Sequence, residues 1–175
     1  MSYPINLEVR GKKCVVLGGG KVAYRKICGL LAANAEIILI SPEICDEIKQ
    51  LIECGKIKYQ NKKYKKGELP EGILLIAATN DKKINEEAAN EATEKKMLVN
   101  VVTTNEKINA EKNFTVPSVI RRGDLMITIS TNGRAPGLSK FIREYLEEEV
   151  IEKFAKELPK ISEEREKIKN DVSKI

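Results

Sequence analysis

An α/β fold built on a doubly wound parallel sheet is predicted by three observations. Short apolar runs at residues 13–17, 36–40, 73–78 and 98–102 alternate with segments whose apolar residues recur at helical spacing. The run 73–78, Ile-Leu-Leu-Ile-Ala-Ala, has no polar alternation, as expected of a parallel strand covered on both faces. Three consecutive glycines, Gly18, Gly19 and Gly20, join the first run to the first helical segment.

Read as strand, turn and helix, that junction gives Gly18-x-Gly20-x-x-Ala23. Gly18 allows the tight turn, Gly20 leaves the backbone open to a pyrophosphate, and Ala23 lets the helix pack close to the strand. The anion then rests on free N–H groups at a helix N-terminus, where the helix dipole favours negative charge. A plain structural turn is the competing reading, but the flanking strand and helix favour dinucleotide binding.

Val22, Ala23, Ile27, Leu30 and Leu31 then fall at helical spacing, with Arg25 and Lys26 pointing away and Asn34 as a left-handed C-cap. Residues 36–40 read as the second strand. Ser41 and Pro42 predict the next helix start, Ser41 as N-cap and Pro42 at the first helical position. Ile44, Ile48, Leu51 and Ile52 line one face of that helix, and Gly55 ends it. A short strand over 56–60 is crowded by Lys56, Lys58, Lys62, Lys63, Lys65 and Lys66. These lysines guard a sheet edge against further pairing, or they steer an acidic ligand. Residues 81–96 read as a helix with Ile84, Ala88 and Ala92 four apart, before the strand at 98–102. Ligands of such sheets bind beyond the C-terminal ends of the strands, at the switch point. One rim therefore carries Gly18, Gly19, Gly20, Lys21, Val22, Ser41, Pro42, Glu43, Thr79, Asn80 and Thr103, with Gly18, Gly20, Lys21, Val22, Ser41, Pro42, Glu43, Thr79 and Asn80 the cofactor candidates.

The pattern changes after residue 102. Residues 114–120 and 125–129 are strand-like, and Gly123-Asp124 suits the tight turn of a hairpin. Pro117 inside the first of these strands argues for an edge position or a bulge. Residues 130–136 form a donor-rich loop. Leu138, Phe141, Ile142, Tyr145 and Leu146 make an amphipathic helix, and from residue 147 the chain is a charged helix or frayed tail. The expected division is 1–112 for the nucleotide-binding domain, 113–150 for a small α+β region and 151–175 for the charged helical tail.

Composition narrows the function. The chain has 175 residues with 42% hydrophobic content, enough for a globular core. Aromatics make up only 5% and Trp is missing, so base-stacking nucleic-acid modules lose weight. The net charge of +5 fits a solvated surface or a mild preference for a polyanionic small molecule. No run approaches the ~20 apolar residues of a membrane helix, and the first residues lack a signal-peptide core. Cys14, Cys28, Cys45 and Cys54 form no C-x-x-C pair, and Cys14 and Cys28 fall in the predicted core. No disulfide framework or metal site is expected, and a reducing cytoplasm fits. With no histidine in the chain, His bases, His metal ligands and Ser-His-Asp triads are excluded.

Several motifs now stand in order. Gly18-Gly19-Gly20-Lys21-Val22-Ala23-x-Arg25-Lys26 comes first, then Ser41-Pro42-Glu43, Ala77-Ala78-Thr79-Asn80-Asp81 and Val99-Asn100-Val101-Val102. Val116-Pro117-Ser118, Arg122-Gly123-Asp124-Leu125 and Ile129-Ser130-Thr131-Asn132-Gly133-Arg134-Ala135-Pro136 follow. Over roughly the first 150 residues the set resembles precorrin-2 dehydrogenases, the N-terminal module of siroheme synthases. The resemblance implies a Rossmann-like domain that oxidises precorrin-2 to sirohydrochlorin with NAD, in some members with Fe²⁺ insertion. It also implies a homodimer formed through the region after the nucleotide-binding domain. By position, Lys21, Val22, Pro42 and Glu43 match family contacts to NAD. Ser130, Thr131 and Arg134 are candidate donors to the substrate's carboxylates, unless that loop only closes the helix behind it; Asn100 is a further candidate.

One departure stands out. Members of the family usually carry an Asp directly after Asn-Val-Val, implicated in dehydrogenation and chelation, and here that position is Thr103. A hydroxyl does not take a proton at neutral pH as a carboxylate does. Glu106 in the same segment is a candidate replacement. The alternative function is a catalytically impaired NAD-binding module with a regulatory or structural task. A generic NAD oxidoreductase ranks last, since no acid–base dyad is present.

Overall fold

The computed structural model describes residues 3–102, 113–123 and 125–149. They form two compact units, Tyr3–Thr115 and a second that begins at Val116. The first is built in the order β1 (Lys13–Leu17), α1 (Lys21–Ala32), β2 (Glu36–Ile40), α2 (Asp46–Glu53), β3 (Lys58–Gln60), β4 (Leu74–Ala77), α3 (Lys82–Glu94) and β5 (Leu98–Val101). The strands lie in the order β3-β2-β1-β4-β5, every neighbouring pair parallel. This is the doubly wound, Rossmann-like sheet expected, and the strand order reverses between β1 and β4.

Both sheet faces are covered, which is why the central strands are apolar without alternation. Val15, Leu17, Leu75, Ala77, Val99 and Val101 share one core with Ala88, Ala89 and Ala92 of α3. Cys14, Val16, Ile37, Leu39, Leu74 and Ile76 face the other, with Ala23 and Ile27 of α1 and Ile48 of α2. The α3 core also takes Tyr64 and Leu69 from the irregular connection between β3 and β4. A buried carboxylate fixes that connection. Glu91 Oε2 accepts from the Tyr64 hydroxyl at 2.5 Å and the Gly67 N–H at 2.8 Å, and Oε1 accepts from the Leu69 N–H at 3.0 Å. Lys95 Nζ stands 2.9 Å from Oε1. β3 is an edge strand, as expected, and Lys58 and Lys62 pair with Glu36 and Glu68 at 3.7 and 2.7 Å on the surface.

Several boundaries differ from the sequence expectation. The second helix starts at Asp46, not after Ser41, because the Ser41 hydroxyl donates to the Glu43 carbonyl at 2.6 Å and the Cys45 N–H donates to the Gly19 carbonyl at 2.8 Å. These bonds fold residues 41–45 into a loop pinned to the glycine turn. Lys26 is half-buried instead of pointing away; burial, with Arg25 beside it, lowers its pKa. Cys14 is fully buried, but Cys28 is only partly so. Asn34 does take the left-handed conformation, φ 56°.

The second unit holds an antiparallel pair, β6 (Ser118–Arg122) and β7 (Leu125–Ile129), followed by α4 (Pro136–Glu149), which packs on them. The hairpin is shorter at its start than expected. Phe114 belongs to the first unit, where it packs against the α1–α2 face of the sheet. Pro117 therefore precedes β6 and costs it no ladder bond, and Arg121 and Arg122 lie within the strand. Ser139 and Ile120 are buried, while Leu138, Phe141 and Tyr145 are exposed at 51, 65 and 56%. No described helix is long and apolar enough to cross a membrane. The tail expected over 151–175 lies outside the described residues.

Candidate functional site

The C-terminal ends of β1, β2 and β4 carry three loops that lock against one another. The Gly18 N–H donates to the Ile40 carbonyl at 3.0 Å, and the Ala78 N–H donates to the Leu17 carbonyl at 2.9 Å, so the glycine turn is tied to both neighbouring strands. Gly18 has φ +99°, and a Cβ there would lie 2.4 Å from the Ala78 carbonyl oxygen. A Cβ on Gly19 would lie 2.0 Å from the Glu43 carbonyl oxygen. Both positions need glycine for packing. At Gly20 a Cβ would meet nothing within 4 Å, so this position opens to the space above the turn.

The helix N-termini at this rim differ. α1 begins after Gly20 with no side-chain cap and no acidic residue in its first turn. Its first amides remain available to an anion, and Lys21 is exposed beside them. α2 also lacks a side-chain cap, but Asp46 and Glu47 occupy its first turn and already complement its dipole. α3 is closed by its own Asp81, whose Oδ1 accepts from the Lys83 and Ile84 N–H groups. Only α1, of these three, is built to receive a phosphate. A pyrophosphate therefore fits the residues present, through the uncapped helix and the open approach at Gly20.

The other expected rim residues fall into two kinds. Pro42, Glu43 and Asn80 are exposed, and Val22 is partly so. Ser41 is buried, its hydroxyl turned inward to Glu43, and its carbonyl accepts from the Tyr59 hydroxyl at 2.9 Å. Thr79 is likewise engaged: its hydroxyl lies 2.7 Å from Asn85 Oδ1 and 3.0 Å from the Asp81 carbonyl. Asn100 is buried and its amide donates to the Phe114 carbonyl at 2.9 Å. Thr103 and Glu106 lie outside the described residues.

In the second unit, the Ser130 hydroxyl accepts from the Asn132 N–H, and the Thr131 hydroxyl accepts from the Ala135 N–H and meets Ser139 Oγ at 3.2 Å. These two side chains close the loop before α4, and Arg134 is exposed. An open groove lined by Lys12, Lys13, Glu71 and Lys95 lies at the opposite, N-terminal end of the strands.

Sequence reasoning places Gly19 in the turn but gives it no role, and it misses Asn85. Gly19 has no place in the spaced glycine pattern because its constraint comes from a loop some 24 positions later. Asn85 sits four residues past the Asp81 cap of α3, with no local signal that its amide reaches back to the loop before Asp81.

The family model described as "Putative NAD(P)-binding" matches residues 5–118. Among curated relatives, the siroheme synthase of Photorhabdus laumondii subsp. laumondii is 36% identical over 148 residues, covering 84% of this chain and 31% of the relative. The siroheme synthase of Ruthia magnifica subsp. Calyptogena magnifica is 31% identical over 176 residues, covering 100% and 36%. The chain thus spans about a third of the length of these relatives. The solved structure of SirC, precorrin-2 dehydrogenase, superposes with a TM-score of 0.73 at 28% identity, covering 93% of this chain and 78% of that one.

Proposed function

We propose, from the premise that this chain belongs to that NAD(P)-binding family, that it oxidises precorrin-2 to sirohydrochlorin with NAD as the cofactor. The observation that carries the reading is the uncapped N-terminus of α1 behind the open Gly20, at the switch point of a sheet similar to that of a precorrin-2 dehydrogenase. When bound, NAD⁺ supplies the hydride acceptor; the protein supplies position.

In this reading Gly18, Gly20, Lys21 and Val22 hold the pyrophosphate. Pro42 and Glu43, with Ser41 shaping their loop, flank the adenosine half; Thr79 and Asn80 flank the nicotinamide half. No Arg or Lys stands at residues 41–44 to favour a 2′-phosphate, so NAD is preferred to NADP. Arg134 offers a cation to the substrate's carboxylates, on a loop that the Ser130 and Thr131 hydroxyls close; Asn100, turned to the Phe114 carbonyl, acts by holding that segment. The working form is a homodimer in the cytoplasm, where four free cysteines remain thiols.

Thr103 sets the balance between two activities. Losing one acid–base group typically costs ~10²–10⁴-fold without abolishing a step that positioning also helps. Metal insertion is more demanding, because two pyrrole protons must leave as Fe²⁺ enters and no histidine is present to take them. The chain is therefore a slow dehydrogenase with little ferrochelatase activity. Incubation with precorrin-2 and NAD⁺ should give the sirohydrochlorin spectrum, and Thr103→Asp should raise the rate. Fast Fe²⁺ insertion by the unmutated protein would overturn the assignment of Thr103. NAD⁺ binding without turnover would favour the impaired-module reading.

A further inference from the structure

We infer that Asn85 is a positioning residue for the nicotinamide half of the dinucleotide site: it fixes the turn at Thr79 so that Asn80 meets the cofactor there. The inference deepens the NAD reading above and rests on it.

Asn85 lies in the second turn of α3 and is only 3% exposed. Asn is a poor helix former, and a buried amide is costly unless its hydrogen bonds are made. Elsewhere this helix packs through Ala88, Ala89 and Ala92, so packing alone does not call for an amide. Among the described residues, every hydrogen bond of the Asn85 side chain goes to Thr79. Oδ1 accepts from the Thr79 N–H at 3.2 Å and from its hydroxyl at 2.7 Å, and Nδ2 donates to the Thr79 carbonyl at 3.0 Å. Both backbone polar groups of Thr79 are thereby held by one side chain.

These bonds are not spent on ending the helix, because Asp81 already caps it. They define the turn. The Thr79 hydroxyl also accepts from the Asp81 N–H at 3.2 Å, which leaves it little to offer a ligand. Asn80 follows directly, exposed, with no hydrogen bond to another described residue. The turn also backs onto the glycine loop: a Cβ on Gly18 would lie 2.4 Å from the Ala78 carbonyl oxygen and 3.0 Å from Thr79 N. A shift at Thr79 therefore has no room to be absorbed on that side. β4 lies across β1 from β2, so the two ends of a dinucleotide spanning the crevice fall on different loops. Asn80 belongs to one end, and Pro42 and Glu43 to the other.

The test is calorimetric affinity for NAD⁺ and for ADP, which lacks the nicotinamide riboside half. It compares the wild type, Asn85→Ala, Asn80→Ala and the double variant. Each single variant should bind NAD⁺ roughly three- to tenfold more weakly, the loss of about one hydrogen bond, with ADP affinity unchanged. The double variant should bind no more weakly than Asn80→Ala, since Asn85 acts through Asn80. Full NAD⁺ affinity in Asn80→Ala would overturn the inference, and that variant, which changes an exposed side chain, keeps it open to refutation even if Asn85→Ala does not fold; Asn85→Asp, which keeps the acceptor Oδ1 but not the Nδ2 donor to the Thr79 carbonyl, should then show the same loss for NAD⁺ and none for ADP. So would ADP affinity falling in step with NAD⁺ in Asn85→Ala, which would mean general loosening. A wild type that binds neither nucleotide would instead overturn the cofactor reading, and no tetrapyrrole enters the measurement.

Discussion

Gly19 and Gly20 are neighbours with opposite reasons to be glycine. Gly19 is squeezed by residues 43 and 44, where an added Cβ would come within 2.0 Å of a carbonyl oxygen and 2.9 Å of the Ile44 Cα. Backbone atoms cannot swing aside as a flexible side chain can, so Gly19→Ala must displace the loop at 41–45. It should lose roughly 1–3 kcal/mol of stability in urea unfolding. Gly20 is the first residue outside α1, extended at φ −85° and ψ −178°, with open space beside it. Gly20→Val should cost about 1 kcal/mol or less of stability, the loss of a favoured N-cap residue in open space, and yet lose far more NAD⁺ affinity, because the new side chain fills the approach to the pyrophosphate. Wild-type NAD⁺ affinity in Gly20→Val would place the pyrophosphate elsewhere. The sequence pattern distinguishes Gly18 and Gly20 by spacing alone. It says nothing of Gly19, whose constraint exists only once the chain has folded.

At the scale of elements, the connection between β3 and β4 covers a sheet face without being a helix, and Glu91 is what holds it there. Burial by itself raises the pKa of this carboxyl. Donors from Tyr64, Lys95, Gly67 and Leu69 outweigh burial and hold it at about 2. The folded pKa thus lies below the ordinary 4.5, so the stabilisation is fully present above that value and fades as pH falls toward about 2. Glu91→Gln places an amide NH₂ among these donors and should cost about 1–3 kcal/mol at pH 7. The gap between variant and wild type in urea midpoint should narrow between pH 4.5 and pH 2; a gap independent of pH would mean that shape, not charge, latches the connection. This element was illegible in the sequence for a physical reason. Its exposed lysines dominate the composition, while the two residues that matter, Tyr64 and Leu69, are isolated apolar positions with no period. The periodic elements are legible in the sequence, because alternating strands and helices carry their burial pattern locally. Boundaries set by tertiary bonds are not: α2 starts later than its sequence suggests because Cys45 is held by Gly19, and the hairpin starts later because Phe114 is held on the sheet.

For the whole molecule, the open question is what covers α4. Leu138, Phe141 and Tyr145 stand at intervals of three and four, on one helical face, and each is more than half exposed. The opposite face is already used, since Ser139 is buried in the same helix. A contiguous apolar stripe of this kind is unusual for a monomer. The exposed stripe supports the two-fold dimer proposed above, in which the same patch on each copy covers the other. Light scattering at micromolar concentration should give twice the chain mass of 19.6 kDa. Phe141→Glu, which sets a charge on the most exposed of the three, should return the monomer without unfolding the Tyr3–Thr115 unit, because Phe141 lies outside it. NAD⁺ affinity should then persist while precorrin-2 turnover falls, if the substrate is held by the region that dimerises. A monomeric wild type would remove the dimer from the proposal and leave the apolar stripe for another partner; a monomeric variant with undiminished turnover would show that one copy suffices for the chemistry.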